Sequence, residues 1–434
     1  MRGGIIVWVL LLAVCHQAGN AAELPGSAPS PPQSEAASLT ILADQLFRDG
    51  RFADARVAYQ RVLALDSQSV PARLGLGRIA EMLSQAEQAR AHYSRAFQTD
   101  PTHRDAVLAF ASVVTGPAKE TLLGNFLALN RLPLRGVSIQ DDERTSDAAA
   151  RLAIERKLAG RTLGKVVDPH QSYRLSLSEL RTNGLPNGII LRARINGGPP
   201  LRLQLDSGAK GLILNPAAGR TAGLEILAGS VMVGFGSEQP AFGHVALAAS
   251  LEVDAFQITN LLAEVSNTNL VPQADGLIGL DVFKDFIIHL KPGLRRLDLE
   301  PLESAQPCAD CSQAYRMENL LLLRATINGQ TEGNFILDTG SAISLISHRM
   351  VAGGGRTTRL NGAQGQQEVV LRSTPASFRI GPQRFLTFDY ATLDTGRISE
   401  RYGTSIAGAI GYSLLRDLNV MVDFRRGLVK LSPR

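Results

Sequence analysis

The chain of 434 residues has no long hydrophobic run, no large surplus of one charge and only three cysteines. Lys and Arg number 45 against 40 Asp and Glu, and the net charge of +5 forms no basic stripe of the kind that binds a nucleic-acid backbone. Hydrophobic residues make up 44% and charged residues 20%, which excludes wholesale disorder and a polytopic membrane protein. The length leaves room for about two to four globular domains.

A short apolar run over residues 5–14 follows Arg2 and precedes small residues that end at Ala22. This order of charge, apolar segment and small residues is typical of a secretory signal peptide. About ten apolar residues are too few to cross a hydrocarbon layer of roughly 30 Å. The sequence therefore predicts an exported, periplasmic protein with a signal peptide over residues 1–22 and no stable membrane span after cleavage. An uncleaved membrane anchor is the alternative.

Cleavage of this signal peptide would remove Cys15 and leave the pair Cys308 and Cys311. In an exported protein such a pair most simply forms a local disulfide. A zinc site would need two further ligands, and neither a second Cys pair nor a spaced His pair supplies them. A redox motif would need a strand followed by a helix, whereas these residues lie in a polar connector. We predict a structural disulfide, with free thiols as the alternative.

A repeat of 34 residues follows a Pro-, Ser- and Ala-rich segment, which we interpret as a flexible linker over residues 23–36. Small or aromatic residues recur at this spacing: Ala55, Tyr59 and Val62, then Ala89, Tyr93 and Ala96. Small residues let paired helices approach each other, and the aromatic ring fills the gap between them. The pattern resembles the tetratricopeptide repeat. The resemblance implies helical hairpins with a capping helix over residues 37–130 and a surface that binds a protein partner.

A second internal repeat has an offset of 132 residues and covers most of the C-terminal part. Residues 191–208 align with residues 323–340, and residues 276–279 align with residues 408–411. Each copy consists of short apolar and β-branched runs separated by Gly, Pro and Asn-Gly turns, a pattern typical of strands and hairpins. The sequence therefore predicts a tandem duplication of an all-β unit.

In both copies, the second strand of a predicted hairpin ends in a carboxylate, a hydroxyl residue and glycine. The two motifs are Asp206-Ser207-Gly208 and Asp338-Thr339-Gly340. Two carboxylates that face each other share a proton, so one can act as a general base on a water while the other donates to a substrate carbonyl. A third Asp-Thr-Gly, at residues 394–396, has no counterpart 132 residues earlier, and we interpret it as a surface turn.

This pair of motifs resembles the aspartic protease superfamily, in particular the retropepsin-like domains of bacterial proteins, and two copies in one chain resemble the two lobes of pepsins. The resemblance implies a catalytic pair and a set of supporting loop residues. The pair is Asp206 and Asp338, and the supporting residues are Ser207, Gly208, Thr339, Gly340 and Ser341. It also implies a peptide or protein substrate bound between the lobes and no requirement for a metal or an organic cofactor.

Two further expectations follow from this resemblance. Ser341 stands where the family has a hydroxyl that hydrogen-bonds its aspartate, whereas Ala209 lacks that hydroxyl in the first copy, which favours activity nearer neutral pH. Flaps that cover the substrate are expected near residues 229–236 and 361–367, and neither segment contains the Tyr that pepsin flaps use.

The predicted fold class is a multidomain α plus all-β chain. The predicted order is signal peptide 1–22, linker 23–36, helical repeats 37–130, a partly helical connector 131–184 with a helix near 145–158, first lobe 185–301, interlobe linker 302–315 with the Cys pair, and second lobe 316–434. The predicted function is an exported aspartic endopeptidase. A catalytically inactive protein that binds peptides in the same cleft is the alternative, and pairing of each lobe with a second chain remains open.

Overall fold

The computed structural model describes residues 31–130, 139–182, 184–232, 241–304, 306–318, 320–351, 353–362, 365–387 and 390–434. The predicted signal peptide and most of the predicted linker lie outside these ranges. The predicted flaps lie partly outside them, at residues 233–236 and 363–364. Within the described ranges, no helix combines the length and the apolar character needed to cross a bilayer.

Paired helices form the N-terminal part: α1 (Pro31–Arg48), α2 (Phe52–Leu65), α3 (Val70–Met82), α4 (Ala86–Thr99), α5 (Arg104–Ser112), α6 (Pro117–Leu129) and α7 (Ile139–Lys157). The small and aromatic residues of the 34-residue pattern are all buried. The ring of Tyr59 fills the space beside Gly75, where a β-carbon would lie 2.3 Å from a ring atom. Its hydroxyl donates a hydrogen bond to Asp44 (2.5 Å). The predicted helical repeats are confirmed.

The helical part is longer than predicted. α1 begins at Pro31, inside the segment 23–36 that we expected to be a linker. Proline is tolerated in the first turn of a helix, where its missing N–H would have no partner, so a Pro-rich composition did not exclude a helix start. Residues 105–129 contain most of a further helix pair, α5 and α6, where one capping helix was expected.

Two β-rich lobes follow. The first contains β1 (Lys165–Val166), β2 (Tyr173–Thr182), β3 (Leu185–Ile195), β4 (Leu201–Leu205), β5 (Leu212–Leu214), α8 (Pro216–Thr221), β6 (Glu225–Met232), β7 (Ala241–Val253), β8 (Phe256–Ser266), β9 (Gly276–Ile278), β10 (Phe286–Lys291) and β11 (Arg296–Pro301). The second contains β12 (Ser312–Met317), β13 (Leu320–Ile327), β14 (Thr331–Leu337), β15 (Ser344–Ser347), β16 (Arg356–Gly362), β17 (Gly365–Arg372), β18 (Ala376–Ile380), β19 (Gln383–Thr387), β20 (Tyr390–Leu393), α9 (Gly396–Tyr402), β21 (Gly408–Ile410), α10 (Tyr412–Leu415), β22 (Leu418–Asp423) and β23 (Leu428–Pro433).

The duplication in sequence is also a duplication in topology. In the first lobe β4 runs parallel to β9, with Leu203 opposite Gly276. In the second lobe β14 runs parallel to β21, with Phe335 opposite Gly408. Both pairs of residues are related by the offset of 132. Each copy therefore places the strand that precedes its aspartate beside the late apolar-glycine strand.

One antiparallel sheet joins the two lobes, with the strand order β2–β11–β10–β22–β23–β12. β10 of the first lobe pairs directly with β22 of the second, with Ile288 opposite Val422. Both residues are buried. Because the sheet is continuous across the boundary, the two lobes of one chain pair with each other.

The predicted lobe boundaries are too narrow. Residues 131–184 were expected to be a connector, but β1 pairs with β8, and β2 pairs with both β3 and β11 of the first lobe. The second lobe begins with β12 at Ser312, four residues before the predicted boundary at 316. The residues of β2 do not match the residues 132 positions later, so the duplication did not indicate that the first lobe begins before residue 185. The alternating burial of β2, with Tyr173, Leu175 and Leu177 inside, is the pattern that marks it as a strand.

The helices pack directly on both lobes. Residues of α1–α3 share one apolar cluster with β13–β15, β17, β20 and β21 of the second lobe, and the rings of Phe52 and Tyr315 lie 4.7 Å apart. The segment after α7 reaches the first lobe, where Leu158 packs with Leu227 and Leu247 of the β6–β7 hairpin. The helical part therefore touches the two lobes at its two ends.

The aromatic centre of the first lobe gives a test of this packing. Phe256 is fully buried, and its ring centroid lies 5.3 Å from Tyr173 and 5.2 Å from Phe283. Phe256→Ala should lower the free energy of unfolding by about 3–5 kcal/mol, because it leaves a cavity among packed rings. Phe242→Ala, at a side chain that is 62% exposed in the same lobe, is the matched control and should change it by less than about 1 kcal/mol. Urea titration measures both, and equal losses would contradict this account of the core.

Candidate active site

Each predicted catalytic aspartate directly follows a buried strand and is held by the strand beside it. Asp206 follows β4, and its N–H donates to the carbonyl of Ile278 in β9 (2.9 Å). Asp338 follows β14, and its N–H donates to the carbonyl of Ile410 in β21 (3.0 Å). Both aspartates are half-buried. The two parallel strand pairs thus bring both carboxyl groups to the junction of the lobes.

The hydroxyl residues after the aspartates lock the two loops together. The Ser207 hydroxyl donates to the carbonyl of Leu337 (2.7 Å) and accepts the N–H of Thr339 (2.9 Å). In the reciprocal arrangement, the Thr339 hydroxyl donates to the carbonyl of Leu205 (2.8 Å) and accepts the N–H of Ser207 (3.0 Å). Ser207 and Thr339 are buried. Four hydrogen bonds across the pseudo-twofold axis therefore fix one loop relative to the other.

The two carboxyl groups share a hydrogen bond. Burial raises the pKa of Asp206 to about 8, and the charge of Asp338 adds to the rise. Burial also raises the pKa of Asp338, whereas the hydrogen bonds from the N–H groups of Ser341 and Gly340 lower it. Two like charges this close cannot both ionise, so the pair retains one proton well above the usual titration range of a carboxyl.

The aspartates differ in the backbone donors that each accepts. Oδ1 of Asp206 accepts the N–H of Gly208 (2.7 Å), whereas Oδ1 of Asp338 accepts the N–H groups of both Gly340 and Ser341 (3.0 Å each). The N–H of Ala209 also lowers the pKa of Asp206, but the charge of Asp338 and the shared hydrogen bond raise it, whereas the same hydrogen bond lowers the pKa of Asp338. The shared proton therefore belongs on Asp206, with the negative charge on Asp338.

The expected contact of the Ser341 hydroxyl is wrong. This hydroxyl donates to the carbonyl of Ile343 (2.8 Å), and Ser341 reaches Asp338 through its backbone N–H instead. Every residue type except proline carries a backbone N–H, so the serine at position 341 could not reveal that its backbone is the donor to Asp338.

Gly340 is required by the close approach of the two loops. A β-carbon on Gly340 would lie 2.3 Å from Cγ of Asp206, well inside van der Waals contact. At Gly208 the same construction gives 3.1 Å to Oδ1 of both aspartates. The glycine of each motif thus makes room for the carboxyl group of the opposite lobe.

Two supporting residues escaped the sequence analysis. Gln204 is buried in β4, and its side-chain amide donates to the carbonyl of Gly340 in the opposite lobe (3.1 Å). Asp281 accepts the N–H of Gly211 with both carboxylate oxygens (2.9 and 3.1 Å) and so holds the end of the first catalytic loop. A comparison of the two copies could have identified them, because the polar residues Gln204 and Asp281 are replaced by Ile336 and Ser413 at the equivalent positions.

The remaining predicted features lie apart from the aspartate pair. Cys308 and Cys311 form a disulfide in the connector between the lobes. The third Asp-Thr-Gly leads into α9, with Asp394 exposed and accepting the N–H of Gly396 (2.9 Å). The described parts of the predicted flaps belong to β6 in the first lobe and to β16 and β17 in the second. Among the described residues, no three His, Cys, Asp or Glu side chains come together as a metal site.

A cavity of about 420 Å³ lies on the interlobe sheet beside the disulfide and contains neither aspartate. Its basic residues are already paired: His289 with Glu300 (3.1 Å), Lys291 with Asp298 (2.9 Å) and Lys430 with Asp310 (3.4 Å). The candidate active site therefore lies at the junction of the loops that carry Asp206 and Asp338, which the hydrogen bonds and the glycine contacts define.

Comparison with known families agrees with this geometry. Residues 191–282 and 323–414 each match the family model described as aspartyl protease, and each match contains one of the two aspartates. The two lobes are aspartic-protease-like domains. Residues 46–112 match the family model described as tetratricopeptide repeat. Both resemblances expected from the sequence, and the predicted fold class, are confirmed.

Among solved structures, the crystal structure of an aspartic proteinase from Irpex lacteus is similar to this chain at 11% identity. The alignment covers 61% of this chain and 97% of that chain, with a TM-score of 0.39. A score this low adds no argument to the two family matches. No curated protein matches the chain.

The reciprocal hydroxyl bonds between the aspartic-protease-like domains can be tested by one substitution. Thr339→Val keeps the shape of the side chain but removes a donor and leaves the buried N–H of Ser207 without its acceptor. The free energy of unfolding should fall by about 1–3 kcal/mol. Thr339→Ser retains the hydroxyl and should lose less. Chemical denaturation measures both, and equal stability of the Val variant and the wild type would refute the role of these bonds.

The proton shared by the aspartates should make stability depend on pH. The folded chain keeps this proton until pH about 8, whereas an unfolded Asp releases it near 3.8. Between these values the folded state binds more protons, so the free energy of unfolding should fall as pH rises, by up to about 1.4 kcal/mol per pH unit, and the whole contribution is lost above the folded pKa. Asp206→Asn should flatten this slope, and Asp394→Asn should not. Urea midpoints between pH 5 and 8 measure it, and a wild-type slope in Asp206→Asn would contradict the shared proton.

Proposed function

We propose that this protein is an aspartic endopeptidase that cuts peptide bonds with a water activated between Asp206 and Asp338. The single observation that carries the proposal is the pair of carboxyl groups at the junction of the lobes, fixed by the four bonds of Ser207 and Thr339. General acid–base catalysis needs one protonated and one ionised group within reach of the same bond. In this proposal Asp206 is the protonated group and Asp338 is the ionised group.

The proposed reaction follows from the protonation states. Asp338, as the anion, takes a proton from a water while the water oxygen bonds to the substrate carbonyl carbon. Asp206 gives its proton to the carbonyl oxygen, which forms a neutral tetrahedral diol. In the second step the C–N bond breaks, the nitrogen receives the proton from Asp338, and a diol proton returns to Asp206. The pair is restored, and no covalent enzyme intermediate forms.

The substrate class follows from the arrangement of the lobes. A peptide or protein segment in extended form would lie between the lobes, above the two aspartates. The segments that the resemblance predicts as flaps belong in part to β6, β16 and β17, and we propose that they cover the bound segment. The tetratricopeptide segment supports a second role, binding of a protein partner or of a part of the substrate, since stacked helical repeats build extended binding surfaces.

Export to the periplasm is part of the proposal. The apolar run over residues 5–14 with its flanking residues favours a secretory signal peptide. The disulfide between Cys308 and Cys311 is compatible with an oxidising compartment.

Cleavage of a diverse peptide mixture between pH 3 and 9 tests the activity. The wild-type protein should cleave extended peptides, and both Asp206→Asn and Asp338→Asn should lose at least about 1000-fold in kcat/KM, since each removes one partner of the acid–base pair. Asp394→Asn is the matched control and should keep full activity, because that aspartate is exposed and lies in the third, unpaired motif. Activity should persist at neutral pH and decline above about 8, where Asp206 loses its proton.

The possible results separate the candidate functions. Loss of activity in both variants supports a single shared pair. An optimum below about pH 4 would contradict the proton placement, because the raised pKa of Asp206 keeps the pair singly protonated at neutral pH. A folded wild-type protein that binds peptides but cleaves none across the range would replace the endopeptidase by the peptide-binding alternative.

A further inference from the structure

The turn after helix α1 is bonded to the second lobe through its backbone carbonyls. The last carbonyl groups of a helix have no partner within the helix and must find donors elsewhere. Here the Thr404 hydroxyl donates to the carbonyl of Phe47 (2.7 Å), and the N–H of Ser405 donates to the carbonyl of Arg48 (2.6 Å). The second lobe therefore caps this helix, over a separation of more than 350 residues.

A buried amide extends this contact into the strand that carries Asp338. Asn334 lies in β14, is 2% exposed and donates from Nδ2 to the carbonyl of Gly50 (3.0 Å). Gly50 has a φ of +75°, and a β-carbon there would lie 2.2 Å from the Asn334 amide nitrogen. The turn approaches β14 this closely only because residue 50 has no side chain.

In the first lobe the corresponding strand position is bonded within the lobe rather than to a helix. Arg202 is the counterpart of Asn334, and its backbone N–H donates to the carboxylate of Asp275 (2.7 Å), while its side chain is exposed. The residue equivalent to Asp275 in the second lobe is Ala407, which has no carboxylate. The second lobe thus lacks this internal contact, and its residue at this position is bonded through its side chain to the α1 turn instead.

The contact between Gly50 and Asn334 lies at one end of the β14–β21 strand pair, and Asp338 lies at the other end. The carbonyl of Asn334 accepts the N–H of Ala407 (2.8 Å), which begins the pairing of β14 with β21. The same strand pair ends where Ile410 accepts the N–H of Asp338 (3.0 Å). A displacement of Asn334 would therefore pass along a short, rigid ladder to the aspartate.

We propose that Gly50 and Asn334 are positioning residues for the reaction, through which the helical repeats hold Asp338 in register with Asp206. The helical repeats are then a part of the catalytic unit and not a separate recruiting module. This inference rests on the proposed peptidase function for its kinetic consequence. Its structural consequence is that the order of β14 and β21 depends on α1, and this consequence is independent of the proposed function.

Gly50→Ala in the full chain tests the proposal, with Gly160→Ala as the matched control. Both glycines follow a helix with a left-handed φ, +75° and +80°, but a β-carbon at Gly160 meets nothing within 4 Å. Gly50→Ala should lower kcat by about 10- to 100-fold with KM within about 2-fold, because the shift acts on the reacting geometry and not on the substrate surface. Gly160→Ala, with the same backbone strain, should leave both constants unchanged.

A second variant separates positioning from general damage. In Gly50→Ala, the added substitution Asn334→Ala removes the clashing amide, and the pair of changes should recover most of the lost kcat, a coupling that two independent defects would not give. Asn334→Ala alone, which introduces no clash, should lower kcat by a few-fold and serves if Gly50→Ala does not fold. Equal kinetics of the Gly50 and Gly160 variants, or the absence of rescue, would overturn the proposal.

Hydrogen exchange on the full chain gives an answer that needs no enzymatic activity. Amides of residues 334–338 and 407–410 should exchange faster in Gly50→Ala than in Gly160→Ala or the wild type. If faster exchange is confined to α1 and α2, the positioning role is wrong. If the strands respond but no variant cleaves peptides, the inference on positioning stands and the proposed peptidase function fails.

Discussion

Two carboxyl groups of like charge can lie together at Asp206 and Asp338 only if they share a proton and the backbone around them cannot move apart. The proton is retained because burial raises the pKa of both groups, to about 8 for Asp206. The backbone is fixed by the reciprocal bonds of Ser207 and Thr339, which tie each loop to the opposite strand. The paired lobes, the interlobe sheet and the absence of side chains at Gly208 and Gly340 all serve this one constraint.

The duplication supplies two copies of one loop, and small differences between the copies give them different chemistry. Oδ1 of Asp338 accepts the N–H groups of Gly340 and Ser341 at 3.0 Å, whereas Oδ1 of Asp206 accepts that of Gly208 at 2.7 Å, so symmetric motifs differ in their hydrogen bonds. Gln204 in one copy and Ile336 in the other show the same divergence at the strand, since only the former reaches across the junction. Two repeated copies of one unit therefore place their aspartates in different surroundings without any change in the Asp-Ser/Thr-Gly pattern itself.

The helices and the lobes share buried surface and hydrogen bonds that neither part would satisfy alone. α1–α3 share an apolar cluster with the second lobe, and the carbonyl groups of Phe47, Arg48 and Gly50 accept donors from it. At the other end, Arg161 pairs with Glu225 of the β6–β7 hairpin (2.6 Å). A tetratricopeptide segment attached in this way differs from a domain on a flexible linker, because a force on the helices acts on both lobes.

The sequence by itself determined the helical repeats, the tandem β-rich lobes and the two Asp-Ser/Thr-Gly loops, because periodicity and internal repetition can be recognised from the order of residue types along the chain. It could not give the start of the first lobe at β1 and β2, the backbone contact of Ser341, or the docking of Gly50 on Asn334. Each of these depends on a partner distant in the chain or on a backbone group that every residue type carries. Only the tertiary structure decided that the helical part contacts both lobes and that burial raises the pKa of both aspartates, since each depends on contacts that residue identity does not encode.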